Sequence, residues 1–230
     1  MARQHTDKEY EAELVKLREQ LLVMGGRVEE MIASSIKALV ERDTELAQKT
    51  IELDAHVNNA EVRTDELCLR ILARRQPVAS DLRFITMALK LVVDLERIGD
   101  VCVNICERAI ELNEEPPLKS LADMPRMTET IQAMVHDALD AFVAGDTEKA
   151  QQVIARDRSV DAYYAQTFRE LLTYMIEDPR NISRAMCLQA VAKHLERIGD
   201  HATNLAEMVV FQVKGKDIRH TGRKKDKPPA

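Results

Sequence analysis

The chain has no tryptophan, only four phenylalanines and four tyrosines, and just seven glycines and seven prolines in 230 residues. So few aromatics and breakers, against many Leu, Ala, Glu, Lys and Arg, exclude a sheet-rich fold and describe long packed helices. No apolar run approaches the roughly 18 residues of a membrane-spanning helix, and the opening MARQHTDKEYEAE has no signal-peptide core. A cytoplasmic location is therefore expected, with the four cysteines (Cys68, Cys102, Cys106, Cys187) reduced. Cys102 and Cys106 sit four apart on one helix, but the matching positions later in the chain are Ala202 and Ala206. They read as small core fillers rather than soft-metal ligands.

The formal net charge of −6 argues against nucleic acid as a partner. The charge is unevenly spread: residues 214–230 hold seven Lys or Arg against two Asp, so the body before them is more acidic than the total. That tail, ending KDKPPA, reads as a solvated, disordered end.

What the chain does have is a statement made twice. LERIGD occurs at Leu95–Asp100 and at Leu195–Asp200, each copy continuing in step to Asn104 and Glu107 or to Asn204 and Glu207. The correspondence extends upstream: Asp43–Thr44–Glu45 matches Asp146–Thr147–Glu148, Ile51 matches Ile154, Asp54 matches Asp157 and Pro77 matches Pro179. This is an internal duplication. Breakers divide each copy into three helices: about 8–42, 44–75 and 78–112, then 126–144, 146–176 and 182–213. The expected fold is all-α, two tandem three-helix bundles over residues 8–112 and 126–213, joined by the proline-rich linker 113–125 and followed by the basic tail 214–230. Asp43 and Asp146 are the expected N-caps of the second and fifth helices.

The repeated motif places carboxylates on helix seams. In the third helix the run Leu82, Ile85, Leu89, Val93 continues as Glu96, Asp100, Asn104 and Glu107. The fifth helix reads Ala150, Ile154, Asp157, Asp161, Tyr164, Phe168, Leu171, Met175, and the second Ala47, Ile51, Asp54, Asn58, Val62. Residues four apart share a helix face. Each copy therefore offers two acidic pairs on adjacent helices: Asp54 and Asn58 with Glu96 and Asp100, then Asp157 and Asp161 with Glu196 and Asp200.

Carboxylates gathered on a partly buried seam need neutralising, because desolvating an uncompensated ion costs several kcal/mol. Ordinary salt bridges to Arg97, Arg197, Lys90 or Lys193 are one answer. Four pairs at repeated positions favour the other, hard cations such as Mg²⁺, Mn²⁺, Ca²⁺ or iron on oxygen ligands. With four carboxylates against three, the second site is expected to bind more tightly. Gly99 and Gly199 are expected to allow close helix approach or leave room for ions. His194 and His201 flank the second motif, where the first copy has Asp94 and Val101, and neither is placed as a ligand.

LVVDLERIGDVCVNICE (Leu91–Glu107), AKHLERIGDHATNLAE (Ala192–Glu207), QPVASDLRFI (Gln76–Ile85) and VKGKDIRH (Val213–His220) resemble the PhoU family over nearly the whole chain. The resemblance implies two similar three-helix bundles whose acidic motifs are metal sites for Mg, Mn, Zn or Fe, and a non-enzyme in the cytoplasm. It implies a negative regulator of the phosphate-starvation response. Such a regulator acts as an adaptor between the ATPase subunit of a phosphate ABC transporter and a sensor histidine kinase, reaching the membrane only through these partners. A homodimer is implied as well.

Two other readings exist. A di-metal oxidase on a helical bundle uses Glu-x-x-His pairs, and no such pair occurs here. A plain scaffold or metal buffer would hold ions without signalling.

Overall fold

A computed structural model describes residues 8–118 and 123–218. Six α-helices account for almost all of it: α1 Lys8–Glu41, α2 Thr44–Arg75, α3 Ala79–Asn113, α4 Asp123–Ala144, α5 Thr147–Glu177 and α6 Ile182–Lys214. A single turn of 3₁₀-helix, Pro179–Asn181, precedes α6. The linker residues 119–122 and the tail residues 219–230 lie outside the described residues.

The helix ends follow local chemistry. Asp43 accepts a hydrogen bond from the Leu46 amide at 2.9 Å, and Asp146 accepts from the amides of Glu148 and Lys149 at 2.9 and 3.0 Å. These are the expected N-caps, each satisfying helix-start donors that otherwise have no partner. The residue before each cap is left-handed, Gly145 at φ 69° and Arg42 at φ 58°. Arg42 bears that conformation without being glycine, and its guanidinium donates to the Asn113 carbonyl at 2.9 Å, tying the α1–α2 turn to the end of α3. α4 begins three residues earlier than the prolines led us to expect. Pro125 sits inside its first turn, where a missing N–H costs nothing.

The expected α1 seam is buried throughout: Leu14, Leu17, Leu21, Met24, Val28, Ile32, Ser35 and Leu39. Within each copy the three helices pack on one another, and across copies α3 packs on α6 and α1 on α4. One continuous hydrophobic core therefore runs through all six helices, rather than one core per bundle.

The seams of α2, α3 and α5 differ from expectation. On α3 the core face is Phe84, Ile85, Ala88, Leu91, Val92, Leu95 and Ile98, while Leu82 is exposed and Leu89, Val93 and Glu96 are half-buried. On α2 the core takes Ala47, Thr50, Val57, Thr64, Leu67, Cys68 and Ile71, leaving Val62 exposed. On α5, Asp157 and Tyr164 are half-buried and Asp161 and Phe168 exposed. The carboxylate runs thus lie along the border of the core. The desolvation they suffer is partial, which is what permits them at all.

Candidate functional site: two carboxylate faces

The first face is formed where α2 crosses α3. A methyl group on Gly99 would lie 3.2 Å from Asp54 Oδ1, so the missing side chain lets the α3 backbone come against the Asp54 carboxylate. Asn58, one turn on, donates from Nδ2 to Asp54 Oδ2 at 2.8 Å. The remaining oxygens, Asp54 Oδ1 and Asn58 Oδ1, are shielded from solvent and have no hydrogen-bond partner. Glu96 and Asp100 approach from α3, and the structure adds two residues absent from the sequence reading, Glu61 and Asp65 of α2.

Mutual repulsion here is evident in the protonation behaviour. The Asp54 carboxyl is held above its ordinary range by burial and by the charge of Asp100, against the Asn58 hydrogen bond that pulls it down. Glu96 is raised by burial and then by Asp100, Glu61 and Asp54. Glu61 is raised by burial, Asp65 and Asp100, and Asp65 by its own burial. Arg97 opposes these shifts only weakly. Asp65 Oδ1 is a third shielded oxygen without a partner.

Glu61 and Asp65 were legible. Stepping +4, +3, +4 along α2 gives Asp54, Asn58, Glu61 and Asp65, a stripe on one face. Following the apolar residues to Val62 instead leads off that face.

The second face, between α5 and α6, has the same frame and different neighbours. A methyl on Gly199 would meet Val160 Cγ1 at 3.1 Å, so the helices again approach closely. Asp157 accepts from the Thr203 hydroxyl at 3.3 Å. Glu196 accepts from Lys193 Nζ at 2.6 Å, and that ammonium also lies 5.4 Å from the Tyr164 ring centre. Tyr164 and Phe168 stand where the first copy has Glu61 and Asp65, and Lys193 where it has Val93. Asp161 is exposed and Asp200 half-buried. Here a salt bridge and a hydroxyl do part of the neutralising, and two of the first copy's carboxylates are replaced by aromatic rings.

The first donor set is all oxygen and includes buried acceptors with nothing to accept, which fits a hard cation. Among the described residues no three Asp, Glu, His or Cys groups yet stand close enough together to ligate a common ion.

The flanking histidines belong to the junction between the copies. His201 Nδ1 lies 2.8 Å from Asp94 Oδ1, both residues largely buried, joining α6 to α3. His194 Nδ1 is shielded and has no partner; burial, with Arg197 and Arg108, holds its pKa below the usual value. Burial pushes the thiols of Cys68 and Cys106 up to about 12, consistent with cysteines used as core packing.

The PhoU domain model matches twice, over residues 21–109 and 124–209, one match on each copy. The chain is a member of the PhoU family. Across the family it is 46% identical to a phosphate-specific transport system accessory protein PhoU homolog of Pseudomonas putida, covering 96% of this chain and 87% of that protein. It is 42% identical to the phosphate-specific transport system accessory protein PhoU of Escherichia coli, over 95% of this chain and 90% of that one. The crystal structure of PhoU from Pseudomonas aeruginosa superposes with a TM-score of 0.86 at 46% identity, covering 90% of this chain and all of that one. A phosphate transport system regulatory protein PhoU from Streptococcus pneumoniae gives 0.84 at 28% identity, covering 91% and 99%. The PhoU fold, helical and duplicated, is thus shared at both high and low identity. Among the described residues no helix is long and apolar enough to cross a membrane.

Proposed function

We propose that this PhoU-family chain is an accessory and negative regulator of high-affinity phosphate uptake. In this reading it is a non-enzymatic cytoplasmic adaptor, working as a homodimer, that couples the ATPase subunit of a phosphate ABC transporter to a phosphate-sensing histidine kinase. The observation that carries the reading is the match of both PhoU domains together with relatives named as phosphate transport accessory proteins over nearly full length. Deleting the gene tests it: alkaline phosphatase output in phosphate-rich medium should then stay on, and output that stays off would refute the regulator.

Divalent ions or iron are part of the proposal. Asp54, Asn58, Glu96 and Asp100, joined by Glu61 and Asp65, would hold one cation or more; Asp157, Asp161, Glu196 and Asp200 would form the second site. Counting carboxylates favoured the second site, but the neighbours favour the first. Its carboxylates repel one another and lack a lysine, whereas Glu196 already holds Lys193. Asp54, Glu61, Asp65, Glu96 and Asp100 would hold such a cation, which would supply positive charge against their mutual repulsion. The proteins's metal content and affinity, with and without Asp54→Asn, test this part separately from the regulatory one.

A further inference from the structure

On a different face of α2, turned toward α1, lies a groove of about 440 Å³ that the acidic faces do not use. From α1 it takes Lys16, Gln20, Val23 and Arg27, spaced along one helix face, and from α2 it takes Asn59, Ala60 and Arg63 among others. Three of its lining residues, Lys16, Arg27 and Arg63, are permanent cations against one carboxylate, Glu19. In a protein of net charge −6 this is a local reversal of sign.

The groove is built rather than incidental. Arg27 crosses it, donating to the His56 carbonyl at 3.2 Å, which fixes the guanidinium between the two helices. Gln20 Oε1 is shielded in the groove lining and has no hydrogen-bond partner. Such a group is costly to leave unpaired. Lys16 and Arg63 have no carboxylate within salt-bridge distance among the described residues, unlike Lys149 or Arg156 in the second copy, which hold Asp140 and Asp137.

The duplication supplies an internal control. At the constant offset of 103 that relates Asp54 to Asp157, Arg27 becomes Thr130, Arg63 becomes Gln166 and Ala60 becomes Tyr163. The second copy thus exchanges two arginines for polar residues while carrying Arg126 at the Val23 position and Asp123 at the Gln20 position, and it places a large, partly buried ring on the core where Ala60 stands. Ala60, Arg27 and Arg63 occur together in the first copy, and none of the three is kept at its matching position in the second.

We infer that the α1–α2 groove binds a phosphoryl-bearing organic anion of about mononucleotide size. Arg27, Arg63 and Lys16 take the phosphoryl oxygens, since arginine's forked donors match phosphate geometry. The amides of Gln20 and Asn59 meet polar edges of the organic part, and Val23 and Ala60 give it an apolar floor. The volume falls in the range of small-molecule sites and exceeds what inorganic phosphate alone would fill.

Calorimetric titration of the full chain with ADP, AMP and inorganic phosphate, in buffer containing EDTA so that the carboxylate faces bring no metal, tests this. ADP or AMP should bind with Kd below about 1 mM, and phosphate more weakly. Arg27→Thr and Arg63→Gln, each copying the residue of the second copy and so compatible with the fold, should each weaken binding by about tenfold. Ala60→Tyr should abolish it while the melting temperature is kept. No heat from either nucleotide, phosphate binding as tightly as ADP, or binding unaltered in all three variants would overturn the inference. So would a tetra-glutamate peptide that displaces ADP with higher affinity, which would mark the groove as a docking site for an acidic protein segment.

Discussion

The α2–α3 and α5–α6 faces descend from one pattern and keep one frame: a capped helix carrying Asp and Asp or Asn one turn apart, crossed by a helix whose glycine permits contact. What differs is the company each keeps. The first face extends its acidic stripe through Glu61 and Asp65 and leaves shielded oxygens on Asp54, Asn58 and Asp65 without partners. The second replaces those two residues by Tyr164 and Phe168 and brings Lys193 onto Glu196. A motif count ranks the second higher, and the environment ranks the first higher. The number of ligands matters less than whether the protein has already satisfied them.

The comparison breaks most sharply at Asp54. Asp54→Asn should weaken divalent-ion binding on the order of tenfold or more, with the matching change at Asp157 having a smaller effect; titration calorimetry on both variants reads the contrast. Equal losses would make the two faces equivalent.

The glycines sharpen it in stability. Gly199→Ala places its Cβ against the stiff, branched Val160 and should cost about 1–3 kcal/mol by thermal melting. Gly99→Ala meets the end of the Asp54 side chain, which can rotate away, so it should cost less stability and instead weaken cation binding.

Acid should separate the faces without any mutation. The carboxyls of Asp54, Glu61, Asp65 and Glu96 are raised in the folded state, so the fold binds protons there more readily than the unfolded chain does. Their contribution to stability is fully present below the unfolded carboxylate values and is lost as pH rises through the folded ones. Metal-free protein should therefore gain stability as pH falls from 7 toward the ordinary carboxylate range near about 4. Saturating Mg²⁺ or Mn²⁺, or the triple change of Asp54→Asn, Glu61→Gln and Glu96→Gln, should flatten that gain in urea melts taken across the range.

The smallest effect is expected at Lys193→Val, which copies the first repeat. Freeing Glu196 should raise cation affinity at the second face by a few-fold, about the worth of a partly exposed ion pair. A fall in affinity would mean that Lys193 positions Glu196 for the ion.

Much of this was written in the chain. The caps at Asp43 and Asp146, the buried α1 seam and the all-helical, duplicated architecture follow from local rules that act within a few residues. Val62 shows where they stop: a 3.6-residue period leaves a choice of +3 or +4 at each step, and only the packed neighbour decides it. Taking the apolar branch lost Glu61 and Asp65, and with them the reason the first face is the more charged. The Lys193–Glu196 bridge was anticipated as an alternative to metal, and its confinement to the second copy follows from Val93 at the matching position of the first. The continuous core had no local signature, because contacts of α3 with α6 and α1 with α4 join residues about a hundred positions apart.

Duplicated halves carry a hazard: each is built to pack on something very like itself, so two first copies from different chains are tempting partners. The Asp94–His201 pair removes the temptation. Under the correspondence of the copies, His201 is replaced by Val101 in a first-with-first pairing, and the buried Asp94 would face a hydrocarbon with no hydrogen-bond partner. Leaving a buried hydrogen-bonding group without its partner costs about 1–3 kcal/mol. The Asp94–His201 contact therefore acts as a lock and key between near-identical halves, favouring each first copy's pairing with its own second copy over exchange between chains.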